Sequence, residues 1–187
     1  MNNGSDPIFY LRYNNLAVFS KIYKMLNFRP HNRQDITFRV QWLNNPEVIR
    51  YALDDIEHRT TEEEQTQWFD EYEKKHSLGE KTFFTIFDEG TPVGFMGLSN
   101  IDQVNKIAEV FILIGEDSYR GRGIGRESMN YLTSFAFETL GLDSLHLEVN
   151  NLNLSAINLY KKLGFEEIGK NEKETEMILL SSLNNKR

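Results

Sequence analysis

The residues of this chain best suited to chemistry by type and spacing are Arg120, Gly121, Arg122, Gly123, Ile124 and Gly125. A glycine-rich turn that opens a helix lets the backbone approach an anion closely, because no Cβ intervenes. It also aims the unpaired N–H groups of the first helical turn, and the positive end of the helix dipole, at that anion. A diphosphate suits such a turn, so the segment points to a nucleotide-bearing cofactor. The plain alternative is a turn and a helix start with no ligand. Spacing narrows the cofactor. A dinucleotide fingerprint needs G-x-G-x-x-G, and a P-loop needs G-x-x-x-x-G followed by Lys and Ser or Thr. Gly121, Gly123 and Gly125 fit neither, and no Lys-Ser or Lys-Thr pair follows them.

The elements that must position this turn can be read on both sides of it. Ala108 to Gly115 is an apolar, strand-like run, and Ile124, Met129, Leu132, Phe135, Ala136 and Leu140 recur at helical spacing. Gly141 to Ser144 reads as a helix stop and a turn. Leu145 to Val149 alternates as a half-buried strand, and a second helix follows it. Ser155 is the expected N-cap of that helix. Ala156 and Tyr160 are four apart and share a face. Ile157, Leu159 and Leu163 form its apolar stripe, and Gly164 is the expected left-handed stop. On its residues alone, Tyr160 also reads as an amphipathic core tyrosine. Upstream, Lys81 to Asp88 reads as a strand, Glu89 to Pro92 as its turn and Val93 to Ser99 as the return strand. Asp102 to Lys106 is then a polar connection to a strand beginning near Ile107.

The pattern Arg-x-x-Gly-x-Gly after a strand resembles the pyrophosphate loop of the GNAT superfamily of acetyl-CoA-dependent acyltransferases. The second segment resembles the same superfamily residue by residue, at Asn153, Ala156, Tyr160, Gly164 and Phe165. Leu26 to Pro30, Gln34-Asp35 and Gln41 to Val48 are similar to the opening of the branch that includes ribosomal-protein N-terminal acetyltransferases. The likeness runs from about Ile22 to the C-terminal strand.

This resemblance implies an α/β (α+β) GNAT fold. Its central sheet is mixed, mostly antiparallel and of about seven strands, flanked by helices and splayed between the fourth and fifth core strands. It implies acetyl-CoA as cosubstrate, no metal, and direct transfer of acetyl to an amine. Backbone N–H groups near Leu113, Ile114 and Gly115 would polarise the thioester carbonyl and pair with the pantetheine. Those of Arg120, Gly121, Arg122, Gly123, Ile124, Gly125 and Arg126 would hold the diphosphate, with the Arg120 and Arg122 side chains adding charge. Asn153 would offer its amide to the pantetheine, and Tyr160 would sit beside the sulfur of acetyl-CoA. A phenol with an ordinary pKa of ~10 is protonated at neutral pH and can serve a departing thiolate of pKa ~8.5. Glu109, at the start of the strand, is the candidate base, acting through water. It reads equally as a strand-end carboxylate facing solvent. Glu148 and His146, on the neighbouring strand, are further candidates.

Composition sets the remaining bounds. The 187 residues are expected to form one domain, with residues 1–20 as an extension whose structure the sequence leaves open. No apolar run approaches the ~20 residues needed to span a bilayer, and no secretory leader pattern is evident, so a cytoplasmic location is expected. The chain has no cysteine, which excludes disulfides, thiolate metal sites and a cysteine nucleophile. His31, His58, His76 and His146 lack metal-ligand spacing and read as surface or packing residues. A net charge of −7 argues against nucleic acid as a partner and suits a cationic acceptor. Glu62 to Glu64, after Thr60 and Thr61, read as a capping box and first helical turn.

The acceptor is expected among small-molecule amines, such as amino sugars or polyamines, or peptide N-termini. The resemblance implies a pocket built by the N-terminal helices and their loops, about Asp35 to His76, where Trp42, Asn44, Tyr51, Trp68, Phe69 and Tyr72 lie, although helices need such aromatics for packing too. The other function class is a catalytically silent acyl-CoA-binding sensor or interaction module with the same fold. A homodimer through the extension or the C-terminal strands is also left open.

Overall fold

The structure, a computed structural model, describes residues 26–51 and 57–181. The N-terminal extension and the tail from Asn184 therefore lie outside the described residues. Seven strands form one sheet: β1 (Leu26–Pro30), β2 (Thr82–Asp88), β3 (Thr91–Asp102), β4 (Ile107–Ile114), β5 (Ser144–Asn150), β6 (Glu166–Lys170) and β7 (Glu174–Leu180). Their order is β1-β2-β3-β4-β5-β7-β6. Every neighbouring pair is antiparallel except β4 and β5, which run parallel. That pair is also the shortest. It joins Ile107, Ala108 and Glu109 to Ser144, Leu145 and His146 and then stops. Beyond Glu109 the two strands have no ladder between them, which is the expected splay.

The side chains of β4 alternate between two apolar layers, as a strand covered on both faces requires. Ala108, Val110, Ile112 and Ile114 join a core with Met129 and Leu132 of α4 (Ile124–Ser134) and Tyr160 of α5 (Leu154–Lys162). Phe111 and Leu113 face the other way. There they meet residues from α1 (Ile36–Leu43), α2 (Pro46–Ile49) and α3 (Glu62–Ser77). The helix starts follow their local chemistry. Asn45 caps α2, with Pro46 at its first position. Thr61 and Glu64 close the expected capping box on α3.

Several boundaries differ from the sequence reading. The turn after β2 is only Glu89 and Gly90, both at positive φ. Thr91 and Pro92 already belong to β3, and a bulge beside Phe87 accommodates the proline, which cannot donate to a ladder. β3 runs on to Asp102, so the connection to β4 is Gln103 to Lys106. The regular part of α4 ends at Ser134, and Phe135–Thr139 continues as one π turn. Asn153, not Ser155, caps α5, and its side-chain oxygen accepts from the Ala156 N–H. Asparagine serves as a cap as readily as serine, and Ser155 falls inside the first helical turn.

A buried polar knot holds α1 to the first two strands. His31 Nδ1 lies 2.7 Å from Thr85 Oγ1, which donates to Asp35 Oδ2 at 2.8 Å. The carboxylate also accepts from the Asn32 N–H at 2.9 Å and pairs with Arg29 at 2.5 Å. Because the Thr85 proton goes to Asp35, His31 donates from Nδ1, and its Nε2 is left buried without a partner among the described residues. Burial first, and then the charge of Arg39, lower the His31 pKa to about 3 against the opposing pull of Asp35. The unfolded chain therefore takes up a proton near pH 6.5 that the folded chain refuses. Stability is full above that pH and falls as the pH drops from 6.5 toward 3. By pH 5 the loss is about 2 kcal/mol. Unfolding free energies of the wild type and His31→Gln at pH 7 and pH 5 test this. The variant should lose about 2 kcal/mol less over the interval, and equal losses would contradict the assignment.

Candidate active site

The structure puts two glycines of the expected turn between β4 and α4 in left-handed backbone. Gly121 has φ 72° and Gly123, the N-cap of α4, has φ 85°. Other residues adopt this region at a cost of roughly 1–2 kcal/mol, so glycine is required by the backbone alone. Nothing lies within 4 Å of a Cβ built at either position, so the space above the turn is open. Among the described residues, the N–H groups of Gly121, Arg122, Gly123, Ile124 and Gly125 meet no hydrogen-bond acceptor. The first engaged amide is that of Arg126, which donates to the Gly123 carbonyl at 3.0 Å. Five consecutive unpaired N–H groups at the positive end of an eleven-residue helix suit a diphosphate.

The arginine side chains do something else. Arg120 donates from Nη1 to the Glu47 carbonyl at 2.9 Å and pairs with Asp117 at 3.3 Å. Arg122 pairs with the buried Asp88 at 3.2 Å and lies over the Tyr119 ring. Both side chains therefore brace the turn against neighbouring elements. Arg126 is exposed and has no ion-pair partner among the described residues.

The second expected segment meets the first. A Cβ on Gly125 would lie 3.3 Å from Leu159 of α5, so the two helices touch beside the cradle. Tyr160 follows, 7% exposed and packed against Phe165. Burial raises its pKa to about 12. Among the described residues, no hydrogen bond engages its hydroxyl. Tyr160 shares a cluster with Val110 and Ile112 of β4 and Leu147 and Val149 of β5, the residues bordering the opening on that face. The Asn153 oxygen is committed to the helix cap.

On β4, the Gly115 N–H donates to the Val93 carbonyl at 2.9 Å. In an antiparallel ladder such bonds recur at alternate residues, so Leu113 also faces β3, while Ile112 and Ile114 turn their N–H groups toward the opening. Of Leu113, Ile114 and Gly115, Ile114 is thus the one whose amide faces the opening. Gly115 is glycine for another reason. A Cβ there would sit 2.1 Å from the Trp42 indole.

The opposite face of the opening is acidic. Glu109 is exposed, opposite Ser99 on β3 and His146 on β5. Glu148, also exposed, stands directly across from the exposed Glu176 of β7. Like charges in such register destabilise a sheet. Glu176 leans its carboxylate over Gly169 of β6, away from the opening. Of the expected acceptor-pocket aromatics, Trp42, Phe69 and Tyr72 are core residues, Trp68 is half-buried, and Tyr51 is exposed. Among the described residues no three His, Asp or Glu side chains are grouped so as to hold a metal ion.

The profile of the acetyltransferase (GNAT) domain matches residues 25–166. The chain belongs to the GNAT acetyltransferase family. It is an acetyl-CoA-dependent N-acetyltransferase. Spermidine N(1)-acetyltransferase of Escherichia coli (strain K12) is 31% identical over 145 residues, covering 77% of this chain and 74% of that one. Its Vibrio cholerae counterpart is 28% identical over 149 residues, covering 77% and 80%. The fold matches the Vibrio cholerae enzyme solved with CoA and spermine, with a TM-score of 0.75 at 23% identity, over 86% of this chain and 98% of that one. It also matches a dodecameric form of that enzyme, with a TM-score of 0.69 at 23% identity, over 88% and 100%. These relatives are polyamine enzymes, and the likeness to the ribosomal-protein branch remains one of the opening segment.

Gly123→Ala places a side chain in open space, so its effect falls on the turn's backbone. Its Kd for CoA, measured by calorimetry, should rise about 5-fold or more, as ~1–2 kcal/mol of left-handed strain deforms the cradle. A Kd within 2-fold of the wild type would mean that the cradle does not hold the diphosphate.

Proposed function

We propose that this enzyme acetylates a small cationic amine of the polyamine class, with acetyl-CoA on the Tyr160 face of the opening and the amine on the Glu109 face. The observation that carries the reading is the gap between β4 and β5. It has unpaired amides and a neutral phenol on one side and the exposed carboxylates of Glu109 and Glu148 on the other. Exposed carboxylates beside the gap suit an ammonium group. The polyamine specificity of the relatives and the net charge of −7 support the same class of acceptor. The reading places the reaction in the cytoplasm and, by analogy with the dodecameric relative, in a homo-oligomer.

Acetyl-CoA supplies the acyl group as a thioester. The free amides of Gly121 to Gly125 hold the diphosphate, and the Ile112 and Ile114 amides pair with the pantetheine and its carbonyl. Glu109 takes a proton from the incoming ammonium through water, so that the nitrogen lone pair is free. A C–N bond then forms as the C–S bond breaks, and the electron pair leaves on sulfur. The Tyr160 hydroxyl donates to that sulfur. With a pKa near 12, against ~8.5 for a thiol, the phenol keeps its proton at equilibrium. Its contribution is a hydrogen bond to the developing charge, and the proton released from the amine balances the thiol.

Thiol release from acetyl-CoA with spermidine, spermine, glucosamine and a short peptide tests the proposal. The polyamines should give the highest kcat/KM. Glu148→Gln should raise the amine KM about 5-fold, in keeping with the loss of one partly exposed charge contact, and leave the acetyl-CoA KM unchanged. Tyr160→Phe should lower kcat roughly 100-fold without moving either limb of the pH profile, because the phenol does not titrate below about pH 12. Glu109→Gln should remove the acidic limb. Turnover on the peptide alone would sink the acceptor assignment. Undiminished turnover in Tyr160→Phe, or an unchanged profile in Glu109→Gln, would remove that residue from the mechanism.

A further inference from the structure

The segment between β4 and the cradle is fastened to helices on the other side of the sheet. Trp42, at the end of α1 and 1% exposed, lies against Gly115 so closely that no Cβ fits between them. Its indole N–H donates to the Glu116 carboxylate at 2.8 Å, and Gln41 adds a second donor at 3.2 Å. Arg120 closes the far end of the same segment onto the Glu47 carbonyl of α2. Trp42 also belongs to the cluster that packs on Phe111 and Leu113, the β4 residues on the amine side of the opening. One half-buried carboxylate therefore joins the amine-side wall to the backbone that leads into the cofactor cradle.

We propose that Glu116, through its hydrogen bond to the Trp42 indole, is a positioning residue that couples the amine site to the acetyl-CoA site. The proposal rests on the reading that each ligand occupies its own face of the opening. A charge-assisted bond in a half-buried position is among the stronger hydrogen bonds of a protein. With it in place, ordering the cradle also orders α1, and the ligand that binds second meets a wall already set. Without it, each ligand must order its own side. Such linkage is reciprocal, so CoA tightens the amine and the amine tightens CoA by the same factor.

Calorimetry of the full chain with CoA and spermidine, each titrated with and without the other, measures that factor. The wild type should show a factor of about 5 or more. Glu116→Leu, which has no acceptor, should bring it to within about 2-fold of unity, as should Trp42→Phe, which has no donor. The double variant should be no worse than either single one, because both remove the same bond. Glu116→Gln should keep the factor, since its amide oxygen still accepts from the indole. A merely structural role would lower the melting temperature without this split between the Gln and Leu variants. A wild-type factor near unity, a factor unchanged in Glu116→Leu and Trp42→Phe, or a Gln variant as impaired as the Leu variant would overturn the proposal. If spermidine releases no thiol with the wild type, the acceptor reading falls and the coupling falls with it. If spermidine does release thiol and Glu116→Leu keeps the wild-type factor, only the coupling falls.

Discussion

Everything functional in this molecule depends on the pairing of β4 with β5 stopping after three residues. A sheet that stayed closed would bury the Ile112 and Ile114 amides in a ladder and seal one face from the other. Because the ladder ends at Glu109 and His146, the edge of β4 is free while its other edge stays anchored to β3 along its length. The opening is thus rigid on one side and accessible on the other. In the proposed reading, it gives two reactants that approach from opposite faces a place to meet.

The two faces are built differently. On the Tyr160 face the opening is bordered by aliphatic side chains from both strands, and the helix N-terminus beside them presents unpaired donors. An apolar surround lowers the local dielectric and keeps the phenol neutral, which suits a group that must donate. On the other face the strand residues carry carboxylates instead, and that side suits a cation. The division follows from strand alternation: Val110 and Glu109 are neighbours in sequence, yet they serve opposite layers.

How much could be read in advance depended on the range of the interactions. The glycine-rich turn and the helix start after it were legible because their demands are local. Gly164 was legible for the same reason, as was the Thr61–Glu64 capping box. The arginine side chains were not. Arg120 and Arg122 stand where a ligand-binding charge is expected, but their partners Glu47 and Asp88 are distant in sequence and reach them only through the fold. Ser155 was displaced as helix cap by Asn153, a choice settled by how the chain leaves β5. The pairing of Glu148 with Glu176 needed the β5–β7 register. Gly115 looked like a cofactor contact, and its glycine character instead reflects the Trp42 ring.

The central claim is that one opening admits both reactants from opposite faces. A bisubstrate conjugate, with spermidine joined through an acetyl bridge to the sulfur of CoA, tests this most directly. If the two sites meet through the gap, calorimetry will show the conjugate binding at least about 100-fold more tightly than CoA, because the second contact becomes intramolecular. Affinity no better than that of CoA alone would mean that the amine does not enter opposite the cofactor.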